Sequence, residues 1–167
     1  VSADNILGLS TENVSEELPV TIVIDGKQAS FTIKVVDYVI KDGVLTEVLM
    51  KEGEEYRLPT DVKVIASFAF ASCSFNKIIL NEGLEEIQAD AFSNNPVKEI
   101  VFPESLKKIG EYCFYGCRNL IQLDLGHTQI KTIPMRALSN VAAETIVLPA
   151  SLEKISSQSL LHTDNLR

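Results

Sequence analysis

The sequence predicts a solenoid, a β-rich right-handed coil of about five repeats of 22–24 residues with a β-hairpin segment ahead of it. Three observations predict it. A Leu-x-x-Ile phrase recurs at near-constant spacing, a large apolar residue follows each phrase at a fixed offset, and a second apolar alternation then runs into a turn residue.

In chain order, Val20-Thr21-Ile22-Val23-Ile24 and Phe31-Thr32-Ile33-Lys34-Val35 alternate like two strands, and Asp25-Gly26-Lys27-Gln28 between them is a hairpin signal. The run from Gly26-Lys27-Gln28-Ala29 through Phe31-Thr32-Ile33-Lys34-Val35 is similar to the last strands of bacterial immunoglobulin-like domains. A complete domain of that kind needs about twice the residues present. Residues 1–39 are therefore expected to be either part of such a domain or a hairpin cap on the array.

Residues 40–59 read as an opening coil that ends in Leu58-Pro59, and residues 60–167 as the repeats. The units begin with Val62-Lys63-Val64-Ile65, Leu84-Glu85-Glu86-Ile87, Leu106-Lys107-Lys108-Ile109, Ile130-Lys131-Thr132-Ile133 and Leu152-Glu153-Lys154-Ile155, so successive starts are 22, 22, 24 and 22 residues apart. Five residues after each Ile stand Phe70, Phe92, Phe114, Leu138 and Leu160. Each follows a small residue, Ala69, Ala91, Cys113, Ala137 or Ser159, which marks a place where one backbone meets the next. The pairs Ile78/Leu80, Ile100/Phe102, Leu123/Leu125 and Ile146/Leu148 then alternate as short half-buried strands. Asn81, Pro103, Gly126 or Pro149 turns the chain after each. The longer interval holds one extra residue near Arg118-Asn119 and one near Gly126-His127-Thr128, both in turns. A unit this short cannot bury its own apolar face, so the units must stack, with equivalent side chains roughly 4.8 Å apart.

This pattern, clearest in residues 106–117 and 97–103, resembles the BspA-type leucine-rich repeat over residues 40–167. The resemblance makes the expected fold an α/β-type leucine-rich-repeat solenoid. It implies an extracellular or cell-surface protein, mostly of bacteria, engaged in adhesion and protein or host interaction, with no shared catalytic residues. Leu138 and Leu160 replace the family's Phe, and Val141 and Thr163 stand at its Cys/Asn position, held elsewhere by Cys73, Asn95 and Cys117. After Leu160 the pattern calls for another strand, so the last repeat is expected to be truncated.

Composition narrows the function. With 46% hydrophobic residues among 167, the chain can fill a sizeable core. Its 15 basic and 23 acidic residues give a net charge of −8 without any Lys/Arg run, which makes nucleic acid and anionic membrane poor partners. No apolar stretch approaches the roughly 18 residues of a membrane span, and the first ten residues lack the features of a signal peptide. Cys73, Cys113 and Cys117 cannot all pair within one chain and lack C-x-x-C spacing; they are expected as buried structural thiols. His127 and His162 are expected on the surface, and no metal site, cofactor or catalytic set is expected. Asn13-Val14-Ser15 matches a glycosylation sequon by chance, and Glu52-Gly53-Glu54-Glu55 reads as a solvated turn without calcium-loop spacing.

Two outward faces remain. Lys63/Val64, Glu85/Glu86, Lys107/Lys108, Lys131/Thr132 and Glu153/Lys154 stack into a charge ladder that sets register. On the second face, Ile79, Val101, Asp124 and Val147 lie outward, flanked by Lys77, Glu99, Gln122 and Thr145. Three apolar residues in four such positions define the candidate partner-binding patch. The expected function is a non-catalytic surface module that binds an extracellular protein or glycan. A structural spacer and an accessory segment of a larger secreted hydrolase are the alternatives.

Overall fold

The computed structural model describes residues 16–24, 27–35 and 37–167. Strands β1 (Glu16–Ile24) and β2 (Lys27–Val35) pair antiparallel, with Ile24 opposite Lys27. They fall where the alternation predicts a hairpin; Asp25, Gly26 and the sequon Asn13-Val14-Ser15 lie outside the described residues.

The opening coil begins with a second hairpin. Strands β3 (Tyr38–Lys41) and β4 (Val44–Val48) pair antiparallel across Asp42 and Gly43, whose φ angles of 52° and 75° are both positive. An Asp-Gly pair suits such a turn because glycine has no Cβ to clash and aspartate tolerates the left-handed region. Strand β5 (Glu52–Arg57) then starts the second sheet. Its Glu52, Gly53, Glu54 and Glu55 form an exposed edge strand instead of the expected solvated turn. Charge along an unpaired edge discourages pairing with another chain.

Each later coil up to the last carries one strand in each of two parallel stacks, and the last carries one strand. At the Leu-x-x-Ile phrases lie β6 (Val64–Ile65), β8 (Glu86–Ile87), β10 (Lys108–Ile109), β12 (Thr132–Ile133) and β14 (Lys154–Ile155). Between them come β7 (Ser74–Ile79), β9 (Glu99–Val101), β11 (Gln122–Asp124) and β13 (Thr145–Val147). The first stack joins β4, β6, β8 and β10 in parallel, with antiparallel β3 closing its edge. The second joins β5, β7 and β9. Both ladders stop at the 24-residue interval and resume as β11 with β13 and β12 with β14. The inserted residues leave the turns intact but cost the strand pairing between those two coils.

Inside, the periodic residues form columns. Leu84, Ile87, Leu106, Ile109, Ile130 and Ile133 are buried, as is the small-residue column Ala69, Ala91, Cys113, Ala137 and Ser159. Phe70 stacks on Phe92 with centroids 4.5 Å apart, and Phe92 on Phe114 at 5.4 Å. The amide of each large residue donates to the carbonyl of the small residue one coil on: Phe70 to Ala91 (3.2 Å), Phe92 to Cys113 (2.9 Å), Phe114 to Ala137 (2.9 Å) and Leu138 to Ser159 (3.0 Å). Val48 donates likewise to Ala69 at 3.0 Å, which makes it the opening coil's counterpart of the Phe residues. In the last coil nothing covers Ile155, 48% exposed where its four counterparts are buried.

The α/β expectation is corrected: the described residues contain no helix. The segment after each Leu-x-x-Ile phrase is a string of turns, because two residues four apart in every coil hold positive φ. These pairs are Phe68/Ser72, Asp90/Asn94, Tyr112/Gly116, Arg136/Asn140 and Gln158/His162, with φ between 53° and 71°. A left-handed residue at every fourth position stops helix propagation. The turns close with bonds such as Ala71 to Phe68, Ser93 to Asp90 and Tyr115 to Tyr112, while the amides a helix would use internally reach the next coil instead.

Close stacking also explains Gly110. A Cβ there would stand 2.3 Å from the Ala89 nitrogen. Gly110→Ala is expected to destabilise the array by about 1–3 kcal/mol, as overpacking does, seen as a lower urea midpoint at unchanged slope. Phe92→Ala, which opens the middle of the aromatic stack, should cost about 3–5 kcal/mol in the same measurement.

Candidate binding surface

Most of the charge ladder on the first stack is paired within the protein. Lys107 reaches Glu85 at 3.2 Å, Lys108 reaches Glu86 at 2.8 Å and Lys131 reaches Glu153 at 2.9 Å, each across one coil step. Glu86 is half-buried and the other side chains are exposed, so each pair contributes at most about 1 kcal/mol. Their effect is to penalise a slipped register, in which like charges would meet.

The second face is built from β7, β9, β11 and β13. Their alternation sends Ile78, Ile100 and Leu123 inward and leaves the residues on either side outward. The register sets Ile79 beside Val101 and Lys77 beside Glu99, then Asp124 beside Val147 and Gln122 beside Thr145. Val101 and Val147 are 40% and 43% exposed, and Ile79 is half-buried. No ladder joins β9 to β11, so the predicted patch is divided into an Ile79/Val101 half and a Val147 half. Asp124 occupies the division. Its carboxylate accepts the Gly126 amide at 2.8 Å and lies 4.0 Å from His127 Nε2, which ties it to the inserted turn. Lys77 and Glu99 hold each other at 2.6 Å. The charged members of the face are thus engaged, while its apolar β-branched residues, with Gln122 and Thr145, have no internal engagement to break.

The residues weighed for chemistry lie elsewhere. Cys73, Cys113 and Cys117 are buried free thiols in the small-residue and Cys/Asn columns. Burial pushes all three up: Cys113 well above the usual thiol range and Cys117 to about 12. Their task is visible in the hydrogen bonds. Cys117 Sγ donates to the Phe92 carbonyl at 3.1 Å, and Asn95 Nδ2 donates to the equivalent Phe70 carbonyl at 3.1 Å and to Cys73 at 3.2 Å. The Cys/Asn column therefore supplies a compact donor to a carbonyl of the coil before it. His127 and His162 are exposed, and among the described residues no group of three or more His, Cys, Asp or Glu could hold a metal.

Sequence patterning did not point to one feature. Arg118, Asn140, His162, Asp164 and Asn165 line an open groove of about 560 Å³ whose remaining wall is Val141 and Ala142. It lies on the connections ahead of β11 and β13 and on the last turn of the chain, away from the strand face. The extra residue near Arg118 was its only trace in the sequence.

The profile of the BspA type Leucine rich repeat region matches residues 50–167 in six copies. Among solved structures, the chain is similar to the pneumococcal vaccine antigen PcpA, with 23% identity over 73% of this chain and a TM-score of 0.40. The match covers 38% of that antigen, so the chain spans well under half of its length. No curated protein matches the chain.

The buried thiols and phenols set a pH dependence. Tyr38 is raised to about 12 and Tyr56 further, chiefly by burial, so with Cys113 and Cys117 they hold their protons more tightly folded than unfolded. Their contribution is complete below the unfolded thiol range of about 8.5 and is lost as pH rises towards the folded values. The urea midpoint is expected to fall from roughly pH 9 upward, less steeply in a Cys117→Ala variant. Native Cys113 and Cys117 should resist a thiol reagent at neutral pH and react on unfolding.

Proposed function

Because the chain belongs to the BspA-type leucine-rich-repeat family, we propose that it is a non-catalytic interaction module of a bacterial cell-surface protein, binding an extracellular partner through the outward face of its second strand stack. In this reading residues 40–167 are the binding array, and residues 1–39 are part of an immunoglobulin-like domain or a hairpin cap. No cofactor or metal takes part. Among the described residues no helix is long and apolar enough to cross a membrane.

The observation that supports this reading is the exposure of Val101 and Val147, with Ile79 beside Val101, on a face where Lys77 and Glu99 are engaged with each other and Asp124 with the inserted turn. β-Branched residues at such positions give a rigid apolar surface that loses little side-chain entropy when covered. The pairing of Lys77 with Glu99 leaves the Ile79/Val101 half of the face without net charge, so covering that half desolvates little that is not already paired.

The test is binding of the purified chain to a panel of immobilised extracellular-matrix proteins. The triple variant Ile79→Ser/Val101→Ser/Val147→Ser should weaken any interaction about 10-fold or more, since loss of buried apolar contacts of this size removes at least 1.4 kcal/mol. Its thermal midpoint should stay near that of the parent, and Phe92→Asp serves as the unfolded control. Binding that survives the triple substitution in a folded protein excludes this face.

A further inference from the structure

We propose that the groove beside Arg118 is a separate ligand site, fitted to a neutral polyhydroxylated ligand of one or two saccharide units. It is independent of the strand-face reading, and either can fail without the other.

The groove exists because the repeat is irregular there. Arg118 is in the first of the two insertions, and its amide folds back on the Gly116 carbonyl at 2.8 Å. Asn140 and His162 occupy the same left-handed column as Gly116 in the next two coils, with φ of 57° and 58°. The far wall is held in place: Asn165 Nδ2 donates to the Ala142 carbonyl at 3.3 Å, the Arg167 amide to the Glu144 carbonyl at 3.2 Å, and the Leu166 amide to the Thr163 carbonyl at 3.2 Å. These bonds fix both sides of the groove.

Most of its polar side chains are left unused by the fold. Many charged residues of the array are engaged: Arg57 with Glu55, Arg136 with Gln158, Arg167 with Glu144, Lys77 with Glu99, and Lys107, Lys108 and Lys131 with Glu85, Glu86 and Glu153. Among the described residues, the side chains of Arg118, Asn140, His162 and Asp164 have neither an ion pair nor a hydrogen bond within the protein. Four polar groups converge on one groove with their hydrogen-bonding capacity unspent.

Their chemistry selects the ligand. The guanidinium of Arg118 offers only donors, the carboxylate of Asp164 only acceptors, and Asn140 and His162 offer both. An anion would meet Asp164, and a cation would meet Arg118, so a net charge of either sign meets repulsion. A ligand carrying many hydroxyls, each a donor and an acceptor, satisfies all four at once. Val141 and Ala142 give a small apolar wall for the C–H face of a sugar ring. The volume of about 560 Å³ accepts one or two rings and excludes a folded partner.

The experiment is a titration of the whole chain with methyl glycosides of common neutral hexoses and N-acetylhexosamines and with their disaccharides, followed by nuclear magnetic resonance. At least one is expected to bind below roughly 10 mM and to shift the Arg118 and His162 resonances. Arg118→Ala and Asp164→Ala should each weaken it about 10-fold with thermal midpoints unchanged, while the Ile79/Val101/Val147 serine variant binds as the parent does. The proposal is overturned if no saccharide of the panel binds, or if binding persists in both alanine variants. It is also overturned if sulfate competes and binds more tightly once Asp164 is removed, which marks an anion site instead.

Discussion

The constraint on which the rest of this structure depends is the hydrogen bond from each large-residue amide to the carbonyl of the small residue one coil on. That bond draws backbones together at one corner of every coil, and a side chain larger than Ala, Cys or Ser at the accepting position would hold them apart. Once the corner is fixed, the phenylalanines beside it stack at 4.5 and 5.4 Å, and the short strands on either side fall into parallel register. The same spacing turns sequence neighbours 22 residues apart into spatial neighbours, so Lys107 meets Glu85 and Lys108 meets Glu86.

Buried polar residues serve that stacking. Parallel coils leave carbonyls at the turns that the next strand does not reach, and an unpaired buried carbonyl is costly. Asn95 and Cys117 donate to them from the Cys/Asn column. Asn81 donates to the Thr60 and Val62 carbonyls, Ser105 to Leu84, and Ser151 to Ile130. Ser159 serves Pro134 and Ser156 from the small-residue column. A thiol at such a position is a donor that also packs as an apolar group, as Cys117 shows, in a chain with no disulfide among its described residues. Val141 offers no such donor, and Thr163 spends its hydroxyl on Leu160 of its own coil, so the last two coils are tied together less thoroughly through this column.

The surface divides by how much of its interaction capacity the fold consumes. On the Leu-x-x-Ile face three lysine–glutamate pairs join successive coils and serve register. The second strand face keeps a small apolar surface, interrupted where the ladders break. The groove at Arg118 is where the repeat departs from its period, and there Arg118, Asn140, His162 and Asp164 line one groove with no side-chain partner within the protein.

The sequence by itself determined the period, the interior columns and the alternation of both faces, because burial demands a particular residue type at each of those positions, and two alternating runs around a turn signal marked the pairing of β1 with β2. It carried the Asp42-Gly43 turn as well, in a dipeptide whose meaning is local. The turns that replace the expected helix were not legible: Phe68, Asp90, Tyr112, Arg136 and Gln158 share a left-handed φ but no chemical character, since closure of the coil, not residue preference, imposes that angle. Only the tertiary structure decided that the 24-residue interval splits both ladders, divides the Ile79, Val101 and Val147 patch around Asp124, and opens a groove beneath Arg118. Each of these is a relation between residues about 22 to 46 positions apart, set by how coils stack, and no local pattern encodes it.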